Sequence, residues 1–323
     1  MRPVVEPPTR ILFLTTQQPS TIKAEWPFYQ NYDLPDLLKE KGALVNFKSW
    51  MDEDILAALE QVDIVTFLWC NEYYKYPGRF FSFLDQVDKS IKARLHAPRI
   101  VNPIELVRWN ADKRYLLDMK EEGFEIPKTQ LVEPQKYSVS GLHALIQNFS
   151  PPGSVVLKPS MSASSTLTRR IASTTTLNAD DVAFLELCTL GGLRSSLVIQ
   201  QFEPDIRTGE YSFIFVGPHL THAMLKCPGR GEFRVQDEYG GSARLVDIGG
   251  LKLRTLQAVR AVFGTLQRRF GMTPTGELGY ARIDGLITED RPFVLMEIEV
   301  IEPHLWLETG KGIDRLLSLL TSA

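Results

Sequence analysis

The 323-residue chain has few cysteines and no excess of charge of either sign. Its three cysteines, Cys70, Cys188 and Cys227, have neither CxxC spacing nor a His-rich partner segment, so neither a zinc site nor a disulfide framework is indicated. The 36 basic and 39 acidic residues give a formal net charge of -3. This balance provides no bulk positive field for a phosphate backbone, and we expect no nucleic-acid partner.

Long hydrophobic runs are missing as well. No stretch approaches the ~18 apolar residues of a membrane span, and the first residues, MRPVVEPPTR, place three prolines where a signal peptide has its apolar segment. We therefore expect a cytoplasmic protein without a membrane partner. With 44% hydrophobic and 23% charged residues, the composition is that of a soluble globular protein of roughly two domains.

Glycine-rich nucleotide motifs are also absent. No GxGxxG follows the first predicted strand, which argues against a dinucleotide-binding domain. No GxxxxGK(S/T) P-loop occurs anywhere in the chain. A nucleotide site in this protein must therefore be built from other residues.

The N-terminal part alternates between short apolar runs and helix-like segments, which predicts a small parallel α/β domain. Leu34 to Lys41, followed by Gly42, and Asp54 to Gln61 are the predicted crossover helices. The predicted strands are Arg10 to Thr16, Ala43 to Lys48, Val62 to Leu68 and Pro98 to Asn102.

From Asn102 onward the pattern changes. A helix is predicted with Asn110 as its N-cap and Gly123 just past its end. Strands and hairpins then dominate (VVLKP, LVIQQFE, EYSFIFV, THAMLK), which predicts an antiparallel α+β unit. Further helices are predicted near Asn178 to Leu190 and near Leu251 to Phe270, the latter from an apolar stripe at three- and four-residue steps.

The sharpest local signal is a predicted β-hairpin from Tyr280 to Pro303. Its alternation pairs Asp284 with Glu297 and Arg282 with Glu299, all four on one face of the hairpin. The intervening side chains are expected to point to the other face, into a core. They are Val294, Met296, Ile298 and Val300.

Three carboxylates at this spacing repel one another unless a cation lies between them. Oxygen ligands suit Mg²⁺, so Asp284, Glu297 and Glu299 are candidate metal ligands. The alternative is a solvated acidic face with Arg282 as its internal counter-ion. A one-residue slip in register would dismantle the cluster.

Lys158 ends the apolar strand VVLKP, and a loop of small residues, SMSASST, follows it. Small side chains leave backbone N–H groups free to approach phosphate oxygens, and a lysine adds a point charge. Such a loop is more often only a connection between elements, so its significance depends on the neighbouring segments.

Taken in order, the segments from about Asn102 to Leu307 resemble the ATP-grasp superfamily of carboxylate-amine ligases. NPIELVRWNADKRYL is similar to the first nucleotide-lysine segment, VVLKPSMSASST to the second, and VIQQFEPDIRTGEYSFIFV to the hinge and ribose segment. HAMLKCPGRGEFRVQDEYGG and YARIDGL with FVLMEIEVIEP are similar to the triphosphate and metal segments. FRVQ, EYGG and LMEIEVIEP most resemble the group that contains the O-ureido-serine cyclase of cycloserine biosynthesis and glutathione-synthetase-like ligases.

The resemblance implies an ATP-grasp fold, α/β plus α+β, that is preceded by a Rossmann-like (pre-ATP-grasp) domain. The implied ranges are residues 1–105 for the N-terminal α/β domain, 106–190 for the subdomain with the phosphate loop, and 191–323 for the subdomain with the metal hairpin.

The resemblance also implies roles for individual residues. The residues implied to bind ATP are Lys113, Lys158, Ser162, Ser164, Ser165, Gln201, Phe202 and Glu210. In this set the lysines and serines would meet phosphates, Gln201 and Phe202 would meet adenine through the backbone, and Glu210 would bind ribose. The residues implied to surround the transferred phosphoryl group are Lys226, Arg234 and Arg282. The implied Mg²⁺ ligands are Asp284, Glu297 and Glu299.

The implied reaction is ATP-dependent joining of a small-molecule carboxylate to an amine, within one molecule or between two, through an acyl phosphate and with release of ADP and phosphate. Charge stabilisation and positioning would carry the rate, without a covalent enzyme intermediate. An ATP-grasp phosphotransferase without an amine acceptor and a non-catalytic ATP-binding module are the alternatives. Homodimer formation is left open.

The sequence departs from the family in places that bear on the substrate. Many members have Asn where this chain has Glu299, which still preserves an oxygen ligand. FLWCNEYY replaces a run common in the cyclase group, so we expect a different substrate. His304 is either a general base for the attacking amine or part of the pocket wall, and Asn71 to Phe83 either lines an acceptor pocket or packs between domains.

Overall fold

The computed structural model describes residues 7–16, 19–25, 34–94, 97–150, 153–273 and 276–322. Within these ranges the helices are Pro19–Glu25, Leu34–Glu40, Ile55–Ala58, Pro77–Lys92, Ile104–Asn110, Tyr115–Glu121, Val139–Phe149, Ala179–Thr189, Leu253–Phe270 and Ile313–Thr321. None of the helices in these ranges has the length and apolar character needed to cross a membrane.

The strands of the described residues form three sheets. In chain order, β1 to β15 are Arg10–Thr15, Leu44–Ser49, Ile64–Thr66, Arg99–Val101, Thr129–Val132, Val155–Pro159, Arg169–Ile171, Leu197–Gln201, Glu210–Val216, His219–Cys227, Ser242–Val246, Met272–Thr273, Gly276–Glu277, Tyr280–Leu286 and Val294–Glu299.

The first sheet confirms the parallel α/β organisation predicted for the N-terminal part. Its order is β12-β13-β4-β3-β1-β2, and β1 to β4 pair in parallel, as crossover connections require. The short strands β12 and β13 come from much later in the chain and extend this sheet beside β4. The later chain is therefore tied to the first sheet by backbone pairing.

The helix predicted to start at Asn110 is wrong at its beginning. Asn110 is the last residue of one helix, and a second helix runs from Tyr115 to Glu121. The buried side chain of Asn110 donates to the carbonyl of Ile298 at 2.7 Å and accepts from the N–H of Val300 at 3.2 Å. These tertiary bonds to the end of β15 replace the local cap, because a buried amide must be satisfied.

The second sheet has the order β5-β8-β6-β7, with antiparallel pairs throughout. Helices Val139–Phe149 and Ala179–Thr189 contribute to its apolar core. The second of them confirms the helix predicted near Asn178 to Leu190, and Asn178 caps its N-terminus. Strand β8 belongs to this sheet, so we propose that the boundary between the second and third predicted ranges lies at Gln201 instead of residue 190. The three domain ranges otherwise stay predictions.

The third sheet has the order β11-β10-β9-β14-β15 and is antiparallel. Helix Leu253–Phe270 buries its predicted apolar stripe against one face of this sheet. Phe263 stacks on Phe215 with ring centroids 4.0 Å apart. The opposite face is left for polar side chains.

The predicted hairpin register is confirmed at the carboxylates. Asp284 pairs with Glu297, and Arg282 pairs with Glu299. Because side chains alternate along a strand, all four lie on the face opposite helix Leu253–Phe270.

Closer to the turn the register shifts by one residue. The prediction that Val294 and Met296 point into the opposite core is therefore wrong. Both side chains join the apolar cluster of Phe202, on the face of the carboxylates. A bulge inserts one residue and so reverses the face of the residues beyond it. Ile298 and Val300, on the other side of the bulge, enter the core as predicted.

Candidate active site

Two adjoining cavities open on the polar face of the third sheet. The first is lined by residues of β6 and β8 from the second sheet and of β9 and β15 from the third. The second is lined by residues that follow β3 and β15. The residues that line both cavities are Ala163, Ser164, Val235, Gln236, Glu299 and Glu302. The two cavities therefore share part of their walls.

Most of the residues predicted for the site line the first cavity. They are Lys113, Lys158, Ser162, Ser164, Ser165, Gln201, Phe202, Glu210, Arg234, Glu297 and Glu299. Lys226 and Arg282 line the second cavity. Asp284 lines neither, since only 2% of its side chain is exposed. The fold thus brings the predicted residues together, while their individual roles stay predictions.

Lys113 and Lys158 come from different segments and face the same carboxylate. The Lys113 Nζ lies 3.1 Å from Glu297 Oε1 and donates to the Ser162 carbonyl at 2.6 Å. Burial lowers the pKa of Lys158, with Glu297 opposing the shift and Lys113 adding to it. Burial alone would raise the pKa of Glu297, but the two lysine charges outweigh it and hold this pKa below its ordinary value. The cavity therefore concentrates positive charge around one acid.

The serine-rich loop follows β6 and turns sharply beside these lysines. The Ser162 Oγ donates to the Pro159 carbonyl at 3.1 Å. Ser164 and Ser165 have φ values of 48° and 54°, in the left-handed region. Such backbone strain in non-glycine residues is concentrated at ligand sites. The loop is consistent with the predicted phosphate contact, which stays a prediction.

An apolar cluster borders the first cavity. Phe202, Ile206 and Val294 form a buried cluster, against which Val156 and Met296 pack. An apolar surface with polar neighbours is typical of small-molecule sites. The sequence prediction identified only Phe202 of this group. Val156 lies two residues before Lys158 on the same strand face, a period-two signal that was available from the sequence.

Lys226 and Arg282 are held by buried carboxylates. The Lys226 Nζ lies 2.7 Å from Asp284 Oδ2 and 2.8 Å from Glu210 Oε2. Arg282 donates from Nε to Asp284 at 3.0 Å and also bonds to Glu299. Burial acts to raise the pKa of Asp284, but the charges of Arg282 and Lys226 outweigh it and hold this pKa at about 2. Glu210 is a counter-ion of Lys226 here, and its ribose role stays a prediction.

The residues present fit Mg²⁺ in part. Glu297 and Glu299 project into the first cavity with 31% and 30% of their side chains exposed. Two carboxylates on one face offer the oxygen ligands that Mg²⁺ prefers. The Asp284 carboxylate is instead enclosed by Lys226 and Arg282. Within the described ranges, no three Asp, Glu, His or Cys side chains are arranged to hold a metal ion.

Of the two carboxylates Glu297 and Glu299, Glu299 has the more strongly shifted pKa. Burial raises its pKa, Arg282 opposes the rise, and Glu297 and Asp284 add to it, so that the pKa reaches about 7. A cation bound beside Glu299 would favour its ionised form. The carboxylate therefore gains most from a ligand that brings positive charge.

Arg234 lines the first cavity from the loop between β10 and β11. Its guanidinium lies 2.6 Å from Glu232 and 3.5 Å from the centroid of the Tyr239 ring. That hydrogen bond is the main cause of the low pKa of Glu232, about 2. The predicted convergence of Arg234 with Lys226 and Arg282 on one phosphoryl group stays a prediction.

The aromatic segment Asn71 to Phe83 is divided between the core and the wall of the second cavity, and its role in an acceptor pocket stays a prediction. Phe80 and Phe83 are buried in the core of the first sheet. Three neighbours at the start of the segment line the second cavity instead: Asn71, Glu72 and Tyr74.

His304 and Trp306 form part of the second cavity wall. Their rings stack with centroids 4.5 Å apart, and the His304 Nε2 lies 3.1 Å from Glu308. Between them, the carbonyl of Leu305 accepts a hydrogen bond at 2.9 Å from the Nε2 of His222. Burial lowers the pKa of His222 to about 4, so its ring is neutral and serves to anchor this wall. A general-base role for His304 stays a prediction.

Glu302 is the acidic residue of the junction that sequence reasoning missed. It lines both cavities and is half-buried. Burial raises its pKa well above the ordinary value, and the charges of Glu299 and Glu72 raise it further. Its spacing of three residues after Glu299 was the only signal in the sequence.

Comparison with solved structures identifies the fold. No protein-family model matches the chain. It superposes on D-alanine–D-alanine ligase from Bacillus anthracis with a TM-score of 0.65 and 12% identity, covering 97% of this chain and 96% of that one. It also superposes on the ATP-grasp RimK domain protein from Sphaerobacter thermophilus with a TM-score of 0.57 and 14% identity, covering 98% and 100%. The chain has the ATP-grasp fold, which confirms the predicted resemblance and fold class.

Two further comparisons concern proteins whose names refer to cycloserine. D-cycloserine synthetase has a TM-score of 0.74 and 20% identity to this chain, covering 97% of this chain and 98% of that one. The cycloserine biosynthesis protein DcsG of Streptomyces lavendulae is 24% identical over 200 residues, or 61% of this chain. That match spans 62% of the relative's own length.

Proposed function

We propose that this protein is an ATP-dependent ligase that joins a carboxylate to an amine. The carboxylate oxygen attacks the terminal phosphorus of ATP, and ADP leaves. The amine nitrogen then attacks the acyl carbon, the bond to phosphate breaks, and the nitrogen loses a proton. The product is an amide, released with ADP and phosphate.

The wall that the two cavities share is the observation that carries this proposal. The first cavity is lined by the apolar cluster of Phe202 and by Lys113 and Lys158, a combination that suits a base and a phosphate chain. Arg282 and Lys226 line the second cavity, which shares Glu299 with the first. A carboxylate in the second cavity can thus reach the end of the nucleotide.

The residues would act by charge and position. Arg282 and Lys226 are already ordered by Asp284, so they need little reorganisation to stabilise negative charge on a transferring phosphoryl group. Glu297 and Glu299 would hold Mg²⁺, which supplies charge neutralisation at phosphate oxygens when bound. No side chain is required as a covalent nucleophile.

The comparisons support this proposal through what their names describe. The solved structures that share the fold include ligases, one of them complexed with ATP, and a macrocyclase bound with its precursor peptide. Small-molecule substrates, Mg²⁺ and a cytoplasmic location belong to the same proposal, and a homodimer stays a prediction.

Mass spectrometry of the products tests the proposal. The full chain is incubated with Mg·ATP and a panel of amino acids and short acids, and product masses are compared with reactions that lack ATP. A new mass equal to that of two substrates less one water, or of one substrate less one water for ring closure, is expected. A stable phosphorylated acid would move the protein to the phosphotransferase alternative. ATP binding without any product would leave it a binding module.

A further inference from the structure

Side chains occupy the outer edge of β15 beside its carboxylates. β15 stands at the end of the strand order of the third sheet, and Glu297 and Glu299 pair with residues of β14 on its inner side. The backbone groups of alternate residues in an antiparallel strand point to opposite edges, so those of Ile298 and Val300 face outward. Buried backbone groups need hydrogen-bond partners. The source of these partners therefore decides what holds the carboxylate strand in place.

Tyr115 and Asn110 supply the partners. The Tyr115 hydroxyl donates to the carbonyl of Ile298 at 3.1 Å and accepts from its N–H at 2.8 Å, as the backbone of a neighbouring strand would. Asn110 donates to the same carbonyl at 2.7 Å and accepts from the N–H of Val300 at 3.2 Å. Only 2% of Tyr115 and 7% of Asn110 is exposed, so water competes little for these bonds. They fix the backbone on both sides of Glu299.

The same short segment carries a lysine of the first cavity. Lys113 lies in the turn between Asn110 and Tyr115. Its Nζ lies 3.1 Å from Glu297 Oε1, and its backbone N–H donates at 2.7 Å to the carbonyl of Ser160, the residue that follows β6. The segment from Asn110 to Tyr115 therefore links the carboxylate strand to the start of the serine-rich loop. A shift of β15 along this segment would change the distance between Lys113 and Glu297.

We propose that Tyr115 and Asn110 are positioning residues that set the distance between Lys113 and the carboxylates of β15. This inference rests on the proposed ligase function, because it takes Glu297 and Glu299 as the residues that hold Mg²⁺ against the nucleotide. Hydrogen bonds that orient metal ligands from behind typically change metal affinity or activity by about 10- to 100-fold. The bonds to Ile298 and Val300 act on the backbone from which both ligands project.

A matched pair of substitutions, Tyr115→Phe and Tyr280→Phe, separates positioning from stability. Tyr280 is also buried, and its hydroxyl donates to the carbonyl of Ile301 at 3.1 Å, beyond the carboxylates. Each substitution removes only a buried phenol oxygen. Both variants should therefore unfold at a lower denaturant concentration than the parent protein.

Calorimetry of a non-hydrolysable ATP analogue gives the decisive readout. The affinity of the full chain for the analogue is measured with Mg²⁺ and with EDTA, and the ratio of the two affinities reports how far the metal strengthens nucleotide binding. We expect Tyr115→Phe to lower this ratio by about tenfold and Tyr280→Phe to leave it within about twofold of the parent value. A residue with a merely structural role would lower stability and leave the ratio unchanged.

The denaturation curve reports whether each variant is folded. If Tyr115→Phe does not fold, Asn110→Ala decides. It removes the two amide bonds but keeps those of Tyr115, so a smaller fall in the ratio is expected, about threefold.

Two results overturn the inference: a folded Tyr115→Phe variant that keeps the parent ratio, or a Tyr280→Phe variant that loses as much of it. Failure of the proposed function has a different signature. In that case the parent protein does not bind the analogue, its affinity ignores Mg²⁺, or no amide forms, and the inference is rejected together with the function. Amide formation with a ratio that is indifferent to Tyr115→Phe rejects only the positioning role.

Discussion

The two cavities use charge in different ways. In the first, Lys113 pairs with Glu297, and a second lysine, Lys158, also lines the cavity. In the second, Arg282 is paired with Asp284, but Glu302 has no cation among the described residues. The first cavity therefore presents positive charge, whereas the second contains a half-buried acid without a cation among the described residues.

The largest expected effect comes from removing the acid that both lysines face. We expect Glu297→Gln to lower kcat by roughly 10²- to 10³-fold, because it removes a candidate Mg²⁺ ligand and the charge that orders Lys113. ADP release at saturating Mg·ATP measures this. Glu289→Gln, on the exposed hairpin turn, is the control and should remain within twofold of the parent protein. Equal activity of the two variants would contradict the metal assignment.

A stability measurement sharpens the contrast between paired and unpaired acids. Asp284→Asn should lower the free energy of unfolding by about 3 to 5 kcal/mol, because two buried cations lose their shared partner. Glu302→Gln should leave this free energy unchanged or raise it at pH 7, since burial already disfavours its charge. Chemical denaturation measures both. A larger loss for Glu302→Gln than for Asp284→Asn would reverse the comparison.

ATP affinity tests the proposed role of the first cavity. We expect Lys158→Ala to weaken ATP binding by about 10- to 100-fold, because one charge-assisted bond to a phosphate is lost. Lys113→Ala should weaken it as well. Calorimetry compares both with Lys136→Ala, an exposed lysine outside the cavities. Unchanged affinity in both cavity variants would show that the nucleotide binds elsewhere.

Acid should loosen the wall of the second cavity through His222. Its pKa is about 4 in the folded state and 6.5 ordinarily, so between these values only the unfolded chain takes up the proton. The part of the free energy of unfolding that depends on neutral His222 is fully present above pH 6.5. It falls by on the order of 3 kcal/mol as the pH drops toward 4. His222→Gln, which retains a donor for Leu305, should show a flatter pH dependence. Parallel curves for the two proteins would contradict this assignment.

The sequence predicted the parts of the site that depend on regular alternation. Arg282 shares a face with Asp284, and Glu297 shares it with Glu299, because each strand has a period of two; the pairing of Asp284 with Glu297 also depends on the bulge nearer the turn. The apolar stripe of helix Leu253–Phe270 is predictable for the same reason. Both features depend on residues that are close in the sequence, so they can be predicted without knowledge of tertiary contacts.

What the sequence did not predict depends on contacts between distant segments. Asn110 looks like a cap, but it bonds to Ile298, which is 188 residues away. The bulge that brings Met296 into the first cavity lies beside Gly285, a signal that the sequence prediction did not use. Glu302 gains significance only because Glu72, from the first sheet's loops, lies near it.

The identity of the phosphorus products tests the ligase proposal most directly. Phosphorus NMR of the full chain with Mg·ATP, a carboxylate and an amine should show ADP and inorganic phosphate, both dependent on the amine. A single substrate that carries both groups should suffice for ring closure. AMP and pyrophosphate as the stoichiometric products would contradict attack at the terminal phosphorus and, with it, the account of the two cavities.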